Sequence, residues 1–318
     1  MTGLHVRSID EGELEAFSQT SQNPDFNQRF KERLQAAIKR GETALNQCFV
    51  LEEGDQWRGR LLFNGSGELS LGHFEVPWWE EEQQAQRARM LLQQGLDLVR
   101  QQGAVRFEAG MATDVPNWEK RQAAYQACGM AVFRERVGYH WEAPKPPVVV
   151  PDRLQFKPLE EVGRSVFVQA IRRAWASSLD MDDQAHKGAD KSNQDQLNSA
   201  RAGFAYGRRD YLARPGWWQL AYCGGALVGL LQPVLFRDGA GQGTDNGTIF
   251  YIAVLPEHRG RGYINDLLAQ STALLQLGGV GRISADTDGP NIPMQRAFER
   301  GGWERHEQSW MYRVELGG

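Results

Sequence analysis

The residues best suited to do chemistry are Val254-Leu255-Pro256-Glu257-His258-Arg259-Gly260-Arg261-Gly262-Tyr263-Ile264. An apolar run, Thr248 to Val254, precedes them, and an amphipathic segment, Ile264 to Leu277, follows. A strand, a glycine-rich turn and a helix start, in that order, make an anion site. Glycines let the backbone turn tightly and approach a ligand closely. The free N–H groups of the first helical turn and the positive end of the helix dipole then face the anion. Arg259 and Arg261 add charge. A cradle of this kind suits a pyrophosphate.

Other phosphate-binding patterns fit less well. A Walker loop ends in Gly-Lys-Ser/Thr, which this stretch lacks. A dinucleotide fingerprint needs a third Gly or Ala, and counting from Gly260 that place holds Asn265. The stretch resembles motif A of the Gcn5-related N-acetyltransferases, a V-x-P-x-x-R-G-x-G run that binds the pyrophosphate of acetyl-coenzyme A. A glycine-rich turn without a ligand is the plain alternative.

The resemblance implies an N-acetyltransferase that moves an acetyl group from acetyl-coenzyme A to a primary amine of a small molecule, by direct attack in a ternary complex. It places the donor for the thioester carbonyl on the backbone N–H of Ile252, and the pantetheine arm along Ile252, Ala253 and Val254. Arg259, Gly260, Arg261, Gly262, Tyr263 and Ile264 would hold the pyrophosphate, and Asn291 would touch the pantetheine. Asp286 is the expected proton acceptor, because it lies on the strand after the coenzyme helix, where several members carry a catalytic Glu; many others carry Glu on the strand before the loop, where this sequence has Thr248. Two positions depart from the family pattern. Ile264 replaces a Gly or Ala, and Phe298 replaces the Tyr that protonates the departing thiolate; Tyr251, Tyr263 or Tyr312 could stand in for it. The family's acceptor site maps onto Trp175, Asp180, Asp182 and Asp183, with His186 beside them; acid next to an aromatic surface would suit a cationic amine. A non-catalytic acyl-coenzyme A sensor and a protein N-acetyltransferase are the alternatives to a small-molecule enzyme.

Several elements must position these residues. Leu154 to Leu159 reads as a strand, and Val162, Val166, Phe167, Ala170, Ile171 and Ala174 repeat at helical spacing. Ser178 to Ser192 is polar and acidic and reads as a loop, before a helix from Ser192 to Tyr206. Trp217 to Tyr222 and Ala226 to Phe236 read as paired strands around Gly224-Gly225, and Asp238 to Gly247 as a turn. Arg282 to Thr287 should be a strand, Pro293 to Arg300 a short helix, and Trp303 to Leu316 the terminal strands.

The first half follows the same plan: strands at Gln47 to Glu52, Gly59 to Phe63 and Glu68 to Val76, a helix from about Glu81 to Gln102, a strand at Val105 to Met111, a helix at Trp118 to Ala127 and a strand at Met130 to Trp141. Val76-Pro77 matches Val254-Leu255-Pro256, Glu108 matches Asp286, and Ala124-Tyr125-Gln126-Ala127-Cys128-Gly129 matches Ala297 to Gly302. A match over this length is a repeat. Where the second half has its glycine loop, the first has Trp78-Trp79-Glu80-Glu81-Glu82, whose bulk and charge would repel a phosphate. The expected fold is therefore α+β, two tandem acetyltransferase-fold domains, each a mixed central sheet flanked by helices. Residues 1–143 form a degenerate copy, the Pro-rich stretch 144–151 a linker, and residues 152–318 the domain that binds acetyl-coenzyme A.

Composition narrows the rest. At 318 residues the chain is long for one core. With 36 basic and 40 acidic residues, a net charge of −4 argues against nucleic acid as a partner. Cys48, Cys128 and Cys223 are few and scattered, which suggests neither a disulfide framework nor a metal site. No apolar run reaches the ~18 residues of a membrane span. The expectation is a cytoplasmic monomer or homodimer, with no metal and no membrane partner.

Overall fold

The structure is a computed structural model that describes residues 3–19, 24–64, 69–75, 83–115, 117–143, 145–188, 191–236 and 246–317. The chain divides into two compact units, Met1–Glu135 with Gln308–Gly318, and Arg136–Glu307.

The first unit carries β1 (Leu4–Ser8), α1 (Leu14–Ser18), α2 (Pro24–Arg40), β2 (Cys48–Glu53), β3 (Gln56–Asn64), β4 (Leu69–Glu75), α3 (Gln83–Gln101), β5 (Arg106–Ala112) and α4 (Trp118–Ala127), and leads into β6 (Ala131–Glu142). The second carries β7 (Gln155–Pro158), α5 (Leu159–Val162), α6 (Arg164–Ala174), α7 (Met181–Lys187), α8 (Asn193–Asp210), β8 (Tyr211–Leu212), β9 (Gln219–Cys223), β10 (Ala226–Phe236), β11 (Asn246–Val254), α9 (Tyr263–Leu277), β12 (Arg282–Asp288) and α10 (Ile292–Arg300); the chain ends in β13 (Glu304–Glu315). The acidic stretch after Ser178, expected to be a loop, contains α7. Asp180 caps it, accepting from the backbone N–H groups of Asp182 and Asp183, which is the usual way a short side-chain acid starts a helix.

Strand order in the first unit is β1-β2-β3-β4-β5-β13, and in the second β6-β12-β11-β10-β9-β7, with β8 on β10. Pairing is antiparallel except for β4 with β5 and β11 with β12, each joined by a crossover helix. Each half of the chain thus lends its last strand to the unit built from the other half. Arg136 to Glu142 of β6 pair with β12, and Ser309 to Glu315 of β13 pair with β5. The division accordingly falls at residue 135, ahead of the Pro-rich stretch, and residues 145–151 lie inside the second unit.

The repeat is visible in the registers. Ala109 of β5 faces Tyr312, whose ring packs on Tyr125 of α4 with centroids 4.9 Å apart. Ala285 of β12 faces Tyr139, whose ring stacks on Phe298 of α10 at 4.8 Å. Arg106 and Arg282 are the matching first residues of the two parallel pairings. This register sets Gly110 level with Asp286, and Glu108 level with Ser284. The sequence match of Glu108 with Asp286 is out of step by two residues, because the connection after β5 is longer than the one after β12. The stretch 76–82, where Trp and Glu replace the glycine loop, lies outside the described residues.

Candidate active site

Strands β11 and β12 pair only from Asn246 to Thr248 against Arg282 to Ser284. Beyond that they share no ladder, so a slot opens between their C-terminal ends, where open α/β sheets bind ligands. On its other edge β11 pairs with β10 in two registers. Gln232 faces Tyr251 but Pro233 faces Ile249, which leaves Phe250 as a bulged residue. Proline has no N–H to give to the ladder, so the bulge falls where Pro233 stands, and a bulge re-aims the neighbouring side chains. The result is a cleft of about 1020 Å³. Its walls run from Gly260, Gly262 and Ile264, past Ile252 to Val254 and Asn291, to Trp175, Asp180, Asp182 and Asp183.

At the loop end, the glycines are needed where they stand. Gly260 has φ +76° and Gly262, the N-cap of α9, has φ +77°. That left-handed region costs an L side chain roughly 1–2 kcal/mol. The first N–H groups of α9 have no carbonyl within the helix. Acids close by are neutralised. Asp266, buried in the first turn of α9, pairs with Arg153, and Glu257 pairs with Arg173. Arg153 also donates to the Arg261 carbonyl at 3.3 Å and lies over the Tyr263 ring at 4.8 Å. No motif pointed to Arg153, because it sits on the turn before β7, remote in sequence from the loop it serves. The side chain of Ile264, the branched residue at the place of a Gly or Ala, packs against the apolar cluster that includes Val254 and Leu267.

The two loop arginines differ. Arg261 is exposed. Arg259, expected to contribute charge to a phosphate, lines the cleft but has its guanidinium engaged by carbonyl groups. Its guanidinium donates to the carbonyls of Ala174 (2.7 Å), Ala176 (2.9 Å), Ser177 (2.8 Å) and Val254 (3.1 Å). Those first three carbonyls belong to the last residue of α6 and the turn that follows it, so Arg259 ties that helix end to the loop and complements its negative pole. Asn291 is the residue before α10 and donates its side-chain amide to Thr287 Oγ1 at 3.0 Å while lining the cleft.

At the acidic end, Asp183 is buried, with 6% of its surface exposed. Ser178 Oγ donates to its Oδ2 at 2.7 Å, and the Tyr251 hydroxyl lies 3.1 Å from both its oxygens. Burial, against the opposing hydrogen bond from Ser178, pushes its carboxyl up to about 6. Burial beside the Asp183 charge drives the Tyr251 phenol well above its usual value. Asp180 is spent on capping α7, and Asp182 is exposed. Trp175 is buried and stacks on His186 at 5.0 Å; burial lowers the His186 imidazole from its usual value.

Of the remaining expected residues, Asp286 lines the cleft but is exposed and ion-paired with Arg136. Tyr312 is not at the cleft. It is fully buried in the first unit's core, on the strand that half receives from the C-terminus, a placement that the exchange of last strands hides from sequence spacing. Phe298 does line the cleft, with its ring held between Tyr139 and Trp303. Gln232 was overlooked. Its signal was a lone amide in the otherwise apolar run Leu227 to Phe236. Among the described residues, no cluster of His, Cys, Asp and Glu could hold a metal ion, and no helix is long and apolar enough to cross a membrane.

A parallel strand pair that splays apart beside the glycine-capped N-terminus of a helix makes a cleft suited to an anion. Residues 183–303, which lie within the second unit, match the model of the acetyltransferase (GNAT) family. No curated protein matches the sequence significantly. Among solved structures, a GCN5-related N-acetyltransferase from Sphaerobacter thermophilus is similar over 99% of this chain and 96% of its own, at 14% identity and a TM-score of 0.69. A tandem GNAT protein from the clavulanic acid biosynthesis pathway is similar over 99% of both chains, at 14% identity and a TM-score of 0.58. A glucosamine N-acetyltransferase region of a fungal multi-domain β-N-acetylglucosaminidase is similar over 99% of this chain and 38% of that one, at 13% identity and a TM-score of 0.66. These likenesses extend the shared fold across both units.

Proposed function

We propose that the second unit binds acetyl-coenzyme A in the slot between β11 and β12 and passes its acetyl group to a primary amine of a small molecule. One observation carries this reading: a single cleft joins the glycine turn to a buried carboxylate. The first N–H groups of α9, with Gly260 and Gly262 removing side-chain bulk, suit the pyrophosphate; Arg153 cancels the nearby Asp266 charge, and the exposed Arg261 supplies local positive charge. The edge of β11 from Ile252 to Val254, free of β12, offers backbone groups to the pantetheine amides, and Asn291 borders the same path. When bound, acetyl-coenzyme A supplies an activated thioester. The chain's own part is to orient it, to exclude water and to take a proton from the amine.

For that proton, the buried Asp183 is the better placed carboxylate, while Asp286 is held by Arg136 in solvent. In our reading the first unit carries no second coenzyme site. The test is thiol release from acetyl-coenzyme A across a panel of primary amines, with the product weighed by mass spectrometry. An amine that gains one acetyl group supports the reading. Binding of the coenzyme with no turnover on any amine or peptide would favour a sensor instead.

A further inference from the structure

We propose that Asp183 is the acceptor-side catalytic residue, and that Gln232, which lines the same cleft, reads an oxygen on the same substrate. The acceptor is then a primary amine that carries a hydroxyl or carbonyl group near its nitrogen. This rests on the acetyl-transfer reading above.

An acid in the first turn of a short helix ordinarily lies in water. Asp183 instead turns inward, and among the described residues no Lys, Arg or His forms an ion pair with it. A buried carboxylate without a cation is costly. Ser178 and Tyr251 fill part of its capacity, but a carboxylate offers about four lone-pair sites. The remaining capacity faces the cleft, and a substrate ammonium is the missing counter-ion.

The second observation is independent of the acids. Gln232 has 1% of its surface exposed, it lines the same cleft, and its Nε2 is buried with no hydrogen-bond partner. It stands directly across the ladder from Tyr251, whose hydroxyl holds Asp183. Directly opposed residues put their side chains on one face of a sheet. An orphaned amide N–H in a buried site needs an acceptor oxygen. Nothing in the coenzyme path requires one at this end, so the oxygen belongs to the acceptor.

The step balances simply. The ammonium gives one proton to Asp183, and the freed nitrogen lone pair forms the C–N bond to the acetyl carbon as the C–S bond breaks. The thiolate leaves, the second proton lost by the nitrogen goes to it, and Asp183 returns its own proton to solvent. Groups facing Asp183 are Asp180 and Asp182 on its own helix, Ser178 before it and Tyr251 on β11, with Arg259 acting on Tyr251. The two acids oppose ionisation of Asp183, and the hydroxyls favour it. Tyr251 is a positioning residue.

The test uses the full chain and a pair of amines that differ only in one neighbouring hydroxyl. Asp183→Asn is expected to lose about a hundredfold or more in kcat/KM, within the usual range for a lost general base, and to lose the wild-type fall in rate below about pH 6, with acetyl-coenzyme A affinity unchanged. Gln232→Leu is expected to abolish the preference for the hydroxylated amine. Tyr251→Phe removes one hydrogen bond to the carboxylate and moves the acid limb to higher pH, a readout that stands even if the Asn variant fails to fold. Near-wild-type kcat/KM in Asp183→Asn with its acid limb intact, or an unmoved limb in Tyr251→Phe, overturns the assignment while leaving acetyl transfer standing. A wild-type chain that acetylates no amine overturns both.

Discussion

Replacing Arg259 by Ala should harm the fold before it harms coenzyme binding. The guanidinium makes hydrogen bonds of 2.7–3.1 Å to four carbonyls, three of them at the end of α6 and in the turn that follows it. A charge-assisted hydrogen bond contributes roughly 1.5–3 kcal/mol, but freed carbonyls near the surface regain water, so a net loss of about 2–4 kcal/mol is expected. In a unit of this size about 1 kcal/mol moves Tm by about 2–4 °C, which gives a fall of about 4–16 °C. Arg259→Lys should fall nearly as far, because one ammonium cannot span the carbonyls that a planar fork reaches. The assay pairs thermal unfolding with titration of acetyl-coenzyme A. If Arg259→Ala melts within about 1 °C of wild type and loses only coenzyme affinity, the residue is a phosphate ligand and the clamp reading is refuted.

Other consequences follow from particular contacts. Tyr312→Ala should cost about 3–5 kcal/mol in the first unit, by analogy with other large aromatic truncations, while Tyr312→Phe leaves turnover unchanged; loss of turnover in the Phe variant would return the residue to the catalytic site. Asp183 has a folded pKa of about 6, above its unfolded value, so the folded state favours the neutral acid and stability falls as pH rises from about 4 through 6. Asp183→Asn should therefore be more stable than wild type by about 1–3 kcal/mol at pH 8 and should lose that advantage below pH 4, which denaturant titrations at the two pH values would show. Asp286→Asn breaks an exposed ion pair with Arg136 and should leave both Tm and turnover near wild type; a large loss of turnover would route the proton through Asp286.

The sequence made the loop and the repeat legible because both rest on local signals. Gly260, Gly262 and the apolar run before them fix a turn between a strand and a helix whatever surrounds them. The cleft's acidic end was legible as a composition only. Which acid would be buried depends on Asp180 capping α7 and on Tyr251 being re-aimed beside a bulge, both set by pairing across the sheet. Tyr312 and Tyr139 show the limit most clearly. Each sits in the unit built mainly from the other half of the chain, so the distance along the sequence misassigns both. The fate of Arg259 was equally out of reach, since three of its four carbonyl partners lie more than eighty residues earlier.

The most direct test of the account is calorimetric titration of acetyl-coenzyme A into the full chain and into Gly262→Val, which places a branched side chain at a φ of +77° in the mouth of the cleft. We predict one site per chain in the wild-type protein and none in the folded variant. Two sites per chain, or one site undisturbed by the substitution, would contradict the assignment of the coenzyme to the second unit.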